Sequence, residues 1–169
     1  MDMTEKKLSS KMIYDGRILH VHCDTVLLPN GKQALREVAD HPGGVAIVAI
    51  DEEDNVLTVK QYRYVFSRVM EEIPAGKLEP GENPDDAALR ELKEETGAVP
   101  ARFTPLGALI VSPGCYGEVC ISTSPRGCNA ARSRRTRTNF WILRARPLTR
   151  CSRVCSMARS GMQRPWRAF

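Results

Sequence analysis

No aspartate, glutamate or lysine occurs after Glu118. The remaining chain carries 12 arginines and four of the six cysteines, Cys120, Cys128, Cys151 and Cys155. All 20 acidic residues lie at or before Glu118, against 13 Lys and Arg there, a net charge of −7. The overall +5 therefore averages two unlike regions. Also missing is any run of eighteen apolar residues, the length a membrane-crossing helix needs, and the charged start MDMTEKKLSSK lacks the apolar segment of a signal peptide. A soluble, cytoplasmic protein without a membrane partner is expected. Cys151 and Cys155 have no second pair at a suitable spacing and no histidine after them, which argues against zinc. No internal repeat is found, and 169 residues suffice for one domain with a real core.

What is present concentrates between residues 76 and 98, GKLEPGENPDDAALRELKEETGA. Asn83 is a good helix N-cap, Pro84 suits the first helical position, and Asp85 and Asp86 complement the positive end of the dipole. Gly97 can take the left-handed conformation that closes a helix, so the segment predicts a helix over 84–96. At 100° per residue, Leu89, Leu92 and Thr96 fall on one side, while Glu91, Glu94 and Glu95 gather on the other. Like charges at this spacing repel, so the cluster calls for a compensating cation. Mg²⁺, a hard ion that takes carboxylate and phosphate oxygens, fits; a solvated acidic face is the alternative. The preceding loop, 74–81, holds two prolines and two glycines, which fix its path and let backbone approach closely.

Strand signals surround this helix. Residues 18–28 end in the turn Pro29-Asn30-Gly31, and 33–39 read as the returning strand of a hairpin. Residues 45–50 and 56–61 flank the acidic turn 51–55 as a second strand pair. Residues 69–73 lead into the loop, and 103–111 form a strand after the helix. The expected class is α/β with mixed sheets.

Gly76, Glu82, Arg90, Glu91, Glu94, Glu95 and Gly97 stand at the spacings of the Nudix box, with Ala98 where a larger aliphatic is usual. Over residues 14–118 the chain resembles the ADP-ribose pyrophosphatase branch of the Nudix hydrolases. LPNGK at 28–32, REV at 36–38, KQYR at 60–63, EIPAGKLE at 72–79, SPG at 112–114 and Pro113, sixteen positions after Gly97, carry that likeness. The resemblance implies a Nudix fold, mixed β-sheets sandwiched with helices and an N-terminal β-hairpin arm. It implies hydrolysis of ADP-ribose to AMP and ribose 5-phosphate with Mg²⁺, Mn²⁺ being an alternative. Glu91, Glu95 and the Ala75 carbonyl would be metal ligands with Glu94 sharing in the cluster, and Arg90 would orient the carboxylates. Arg63 would hold the diphosphate, and Arg36 and Glu37 would contact the adenosine end, partly across a homodimer made by exchanging N-terminal strands. Residues 1–42 would then be a dimerisation arm and 43–118 the hydrolase core. Arg90 could instead be a surface residue pairing with Asp86, and Arg36, Glu37 and Arg63 could be ordinary strand residues facing solvent. His20, His22 and His41 lack a ligand set around them and are read as surface residues.

Residues 119–169 do not fit the family and are expected to be irregular or disordered. An arginine-rich nucleic-acid-binding tail on an inactive scaffold is one reading, but the absence of lysine, the scattered cysteines and the few stacking aromatics speak against nucleic acid as a partner. A sharper reading is translation out of frame. Taking the third base of each codon with the first two of the next, 119–125 can read Leu-His-Ile-Tyr-Leu-Ala. Likewise 135–142 can read Asp-Glu-Asp-Glu-Phe-Leu-Asp, with the Trp141 codon forcing the last Leu and Asp. That would restore an alternating strand and the acidic segment from which the family commonly draws a catalytic or metal-binding glutamate. Without it, a box glutamate must act as base. Another nucleoside diphosphate-sugar is the competing substrate.

Overall fold

The computed structural model describes residues 2–128 and 142–147. Strands β1 (Lys6–Asp15), β2 (His20–Leu27) and β3 (Gln33–Asp40) form an antiparallel meander. The β2–β3 turn follows from Gly31, whose φ of 80° suits glycine, and from the Asn30 side chain, which accepts the Lys32 amide. Strand β4 (Gly44–Ile47) pairs antiparallel with β7 (Ala75–Lys77) and parallel with β9 (Tyr116–Thr123). Strand β8 (Pro105–Ser112) lies antiparallel to β9. A second sheet has the order β10 (Ile142–Pro147), β5 (Asn55–Arg63), β6 (Arg68–Glu72).

The hairpin expected from 45–50 and 56–61 is not formed as a ladder. Strands β4 and β5 lie in different sheets, and the chain between them is joined to β5 by an Ile50–Val56 bridge, the Leu57 amide bond to the Ala49 carbonyl and the Asp51 amide bond to the Asn55 carbonyl. Both edges of β4 are already taken by β7 and β9, so β5 has no free edge to join. Its acidic turn is locally closed, because Asp51 Oδ1 accepts the amides of Glu53 and Asn55.

Helix α1 (Pro84–Thr96) occupies the predicted span. Asn83 accepts the Asp85 amide at 2.8 Å, and Gly97 closes the far end with φ 71°. Replacing Asn83 by Ala should cost about 1 kcal/mol, readable as a lower urea midpoint at unchanged m-value. The buried stripe is rotated from the predicted one. Ala87, Ala88, Leu92 and Thr96 are buried, together with Glu95 at 4% exposure, whereas Leu89 is 38% exposed. The helix touches strands of both sheets, so two sides of it are covered, and a single apolar face in the sequence does not show the second side. Around it the core comprises Val45, Ile47, Ala49, Leu57, Ala98 and Cys128, flanked by Leu78, Phe103 and Ile121.

Part of the arginine-rich segment is therefore structured. Strand β9 runs through Glu118 to Thr123 without interruption, and Cys128 reaches the core with its amide bonded to the Ile50 carbonyl. Strand β10 pairs with β5 over six residues. Residues 129–141 and 148–169, which include Cys151, Cys155 and most of the out-of-frame acidic reading, lie outside the described residues.

Candidate active site

Gly76 is where the backbone of β7 comes closest to the helix. A Cβ on Gly76 would lie 1.9 Å from Glu91 Cδ and 2.0 Å from its Oε1, so only glycine lets that carboxylate lie against the strand. Beside it, Glu95 Oε2 accepts the Ala75 amide at 3.2 Å. The two carboxylates thus face the same short strand from successive turns of the helix.

Arg90 fixes this arrangement. Its Nε and Nη2 donate to the two oxygens of Glu82 at 2.9 Å each, Nη1 donates to Glu91 Oε1 at 2.8 Å, and Nη2 also reaches the Lys77 carbonyl at 3.2 Å. Glu82 in turn accepts the Glu79 amide. One planar guanidinium therefore ties the loop, the strand and the helix together, a geometry that an ammonium would not reproduce. Asp86, the surface partner considered for Arg90, is not among these contacts. Glu82, which the spacing singled out without a role, is the anchor, and the Arg90 bonds hold its carboxyl down at about 2.

The opposite shift marks the other two carboxylates. Burial raises Glu95 to about 7, and its Glu91 neighbour pushes in the same direction. Glu91 is also raised, chiefly by burial, with Arg90 opposing. Desolvated acids side by side, only partly compensated by Arg90 at Glu91 and Arg63 near Glu95, are a site short of positive charge. Glu94 sits apart with a side chain 53% exposed and an oxygen 3.8 Å from Arg90 Nη1. Among the described residues, no three His, Cys, Asp or Glu side chains converge as a ready metal cage. Glu91, Glu95 and adjacent strand backbone nevertheless supply hard oxygen donors of the kind a divalent cation takes.

The predicted substrate residues divide. Arg63, at the end of β5, is bound by Glu72 of β6, and both are near enough to Glu95 to act on its charge. Arg36 is held by Glu5 through Nε at 3.0 Å and Nη2 at 2.6 Å, and Glu37 lies on the same strand, exposed. Among the described residues no hydrogen bond or ion pair joins Arg36 or Glu37 to the helix carboxylates. The histidines are engaged: His20 with Asp15, His22 between Asp24 and Asp40, and His41 accepting the Gly43 amide. A cavity of about 500 Å³ is lined by Arg17, Ile18, His20, Asp40, His41 and Lys77 and by none of the helix carboxylates. Lys77 alternates with Gly76 along β7, which places this cavity on the sheet face away from the helix. Sequence gave no sign of it, because its walls come from distant segments.

Residues 40–127 match the NUDIX domain model, more than half of the chain. The chain belongs to the Nudix family. Residues 5–39 match a nucleoside diphosphate sugar hydrolase N-terminal domain. The chain is 43% identical over 117 residues to an ADP-ribose pyrophosphatase of Bacillus subtilis, covering 69% of this chain and 63% of that protein. It is 44% identical over 115 residues to a methanol dehydrogenase activator of Bacillus methanolicus, covering 68% and 62%. With an ADP-ribose pyrophosphatase of Mycobacterium tuberculosis the identity is 41% over 112 residues, covering 66% and 54%. The chain thus spans between about half and two thirds of the length of these Nudix relatives. The crystal structure of an ADP compounds hydrolase superposes with a TM-score of 0.79 at 19% identity, covering 92% of this chain and 85% of that one, which establishes the Nudix fold. Among the described residues no helix is long and apolar enough to cross a membrane.

Proposed function

We propose that the protein is a divalent-cation-dependent pyrophosphohydrolase acting on ADP-ribose, splitting it with water into AMP and ribose 5-phosphate. The observation that carries this reading is the pair of carboxylates against one strand: half-buried Glu91, laid against Gly76 and braced by Arg90, and buried Glu95, held by the Ala75 amide. Glu91, Glu95 and the Ala75 carbonyl would hold Mg²⁺ or Mn²⁺, with Glu94 at the margin of the cluster. When bound, the cation would offset the negative charge that gathers on the diphosphate oxygens. Arg63 supplies a further cation for those oxygens. Water attacks one phosphorus, the bridging P–O bond breaks, and each product leaves with one phosphate. With no acid after Glu118 in this chain, a box glutamate would take the proton of that water, and the exposure of Glu94 favours it for that role.

The arm of residues 1–42 supports a homodimer, because β1 is exposed along its whole length and presents Leu8, Met12, Ile13 and Tyr14 to solvent. Residues 43–118 form the hydrolase core in this reading, and 119–169 stand apart from it by composition. The N-terminal match to nucleoside diphosphate sugar hydrolases favours other sugars on the same diphosphate as a second substrate class. The cytoplasm is the compartment proposed for this chemistry. Release of phosphate from ADP-ribose with Mg²⁺, coupled to a phosphatase, tests the activity. Turnover that vanishes on chelation is expected; no turnover with any nucleoside diphosphate-sugar refutes the reading.

A further inference from the structure

Arg63 is not presented freely to a ligand. Its Nε lies 3.1 and 3.2 Å from the two oxygens of Glu72, and its Nη2 donates to Glu72 Oε2 at 2.7 Å. Gln61 adds a bond to the same oxygen at 3.3 Å. These contacts use the side edge of the guanidinium and leave Nη1 without a hydrogen bond among the described residues. Glu72 is the more buried partner, its side chain 22% exposed against 46% for Arg63, and it stands three residues before Ala75 of β7.

The geometry points to Glu72 as a positioning residue for diphosphate recognition: it clamps Arg63 by one edge so that the opposite edge faces the ligand beside the helix carboxylates. This inference rests on the diphosphate reading above and adds a residue to it. The physical argument is pre-organisation. An arginine on a strand end loses much rotamer freedom when it binds an anion, and a carboxylate that already holds Nε and Nη2 spares the ligand part of that loss. Glu72 also retains Arg63 close to Glu95, whose carboxyl responds to both charges. As a stability element the pair counts for little, since an ion pair this exposed contributes near the low end of such interactions.

Titration calorimetry of the full chain with Mg²⁺ and the α,β-methylene analogue of ADP-ribose tests this. Glu72→Gln should weaken binding about tenfold and Arg63→Ala about a hundredfold, while the double variant should bind like Arg63→Ala alone. Glu72→Asp should recover part of the loss, and melting of Glu72→Gln should stay close to wild type. Glu71→Gln serves as the comparison, because Glu71 binds Thr58 and Arg146 on the other face of β6; it should change melting and leave affinity unaltered. Equal weakening by Glu72→Gln in the Arg63→Ala background would show a merely structural effect and overturn the clamp. Unchanged affinity in Glu72→Gln, with Arg63→Ala weakened, would overturn the clamp and leave the diphosphate reading intact. Unchanged affinity in Arg63→Ala, or no binding by wild type, would remove both.

Discussion

Replacing Glu95 by Gln is expected to abolish the proposed turnover of ADP-ribose and at the same time to raise the melting temperature of the metal-free protein at pH 8. The two effects have one cause. Burial lifts the Glu95 carboxyl to about 7, so the folded state binds its proton more tightly than the unfolded chain, where an ordinary glutamate titrates near 4.5. A group raised in this way favours folding most below pH 4.5 and loses that contribution as pH rises through 7. Above that point the folded protein holds a buried anion, and Gln, nearly isosteric and neutral, removes the cost. The melting difference between Glu95→Gln and wild type should therefore open between pH 4.5 and 7 and stay open above it, on the order of 5 °C. Saturating Mg²⁺ should close it by stabilising wild type alone. Glu82, held down at about 2, acts in another window: its contribution is present above pH 4.5 and fades as pH falls through 2. Wild-type turnover in Glu95→Gln, or a melting difference that does not vary with pH, would contradict the assignment.

A second large effect is expected at Gly76. Replacement by Ala puts a methyl where Glu91 Cδ and Oε1 now lie. The clash is with the end of a flexible side chain rather than with backbone, so Glu91 swings away and β7 keeps its pairing with β4. On the proposed role of Glu91, activity should fall about a hundredfold or more. Circular dichroism and melting should stay close to wild type. If Glu91 and Glu95 share the ion as proposed, the Mg²⁺-induced gain in melting temperature should shrink in parallel with activity. A Gly76→Ala protein with full activity would mean that the carboxylate has another productive position.

Both effects depend on how the box is read. Its spacing along the chain located Gly76, Glu82, Arg90, Glu91, Glu94 and Glu95, and the capping residues Asn83 and Gly97 placed the helix between them. This much is local: a helix end needs one hydrogen-bonding side chain and one left-handed residue, and both are visible as letters. The roles within the set were not. Only the packing of α1 against β7 separates Glu91 and Glu95, which are desolvated, from Glu94, which stays in water. Leu89 faces solvent for the same reason, because helical periodicity gives relative directions but not which sides are covered.

The sequence by itself determined the family, the helix, the hairpin turn at Gly31, the acidic clustering and the break in composition after Glu118. These rest on interactions between residues close in the chain, or on spacing alone. The tertiary structure decided that β4 and β5 belong to different sheets, that Glu82 anchors Arg90, that Glu72 grips Arg63, and that residues 116–123 run as one strand across the compositional break. Each of these depends on strand register or on which edge remains free to pair, and such non-local geometry is set by the balance of many weak contacts rather than by any one residue's preference.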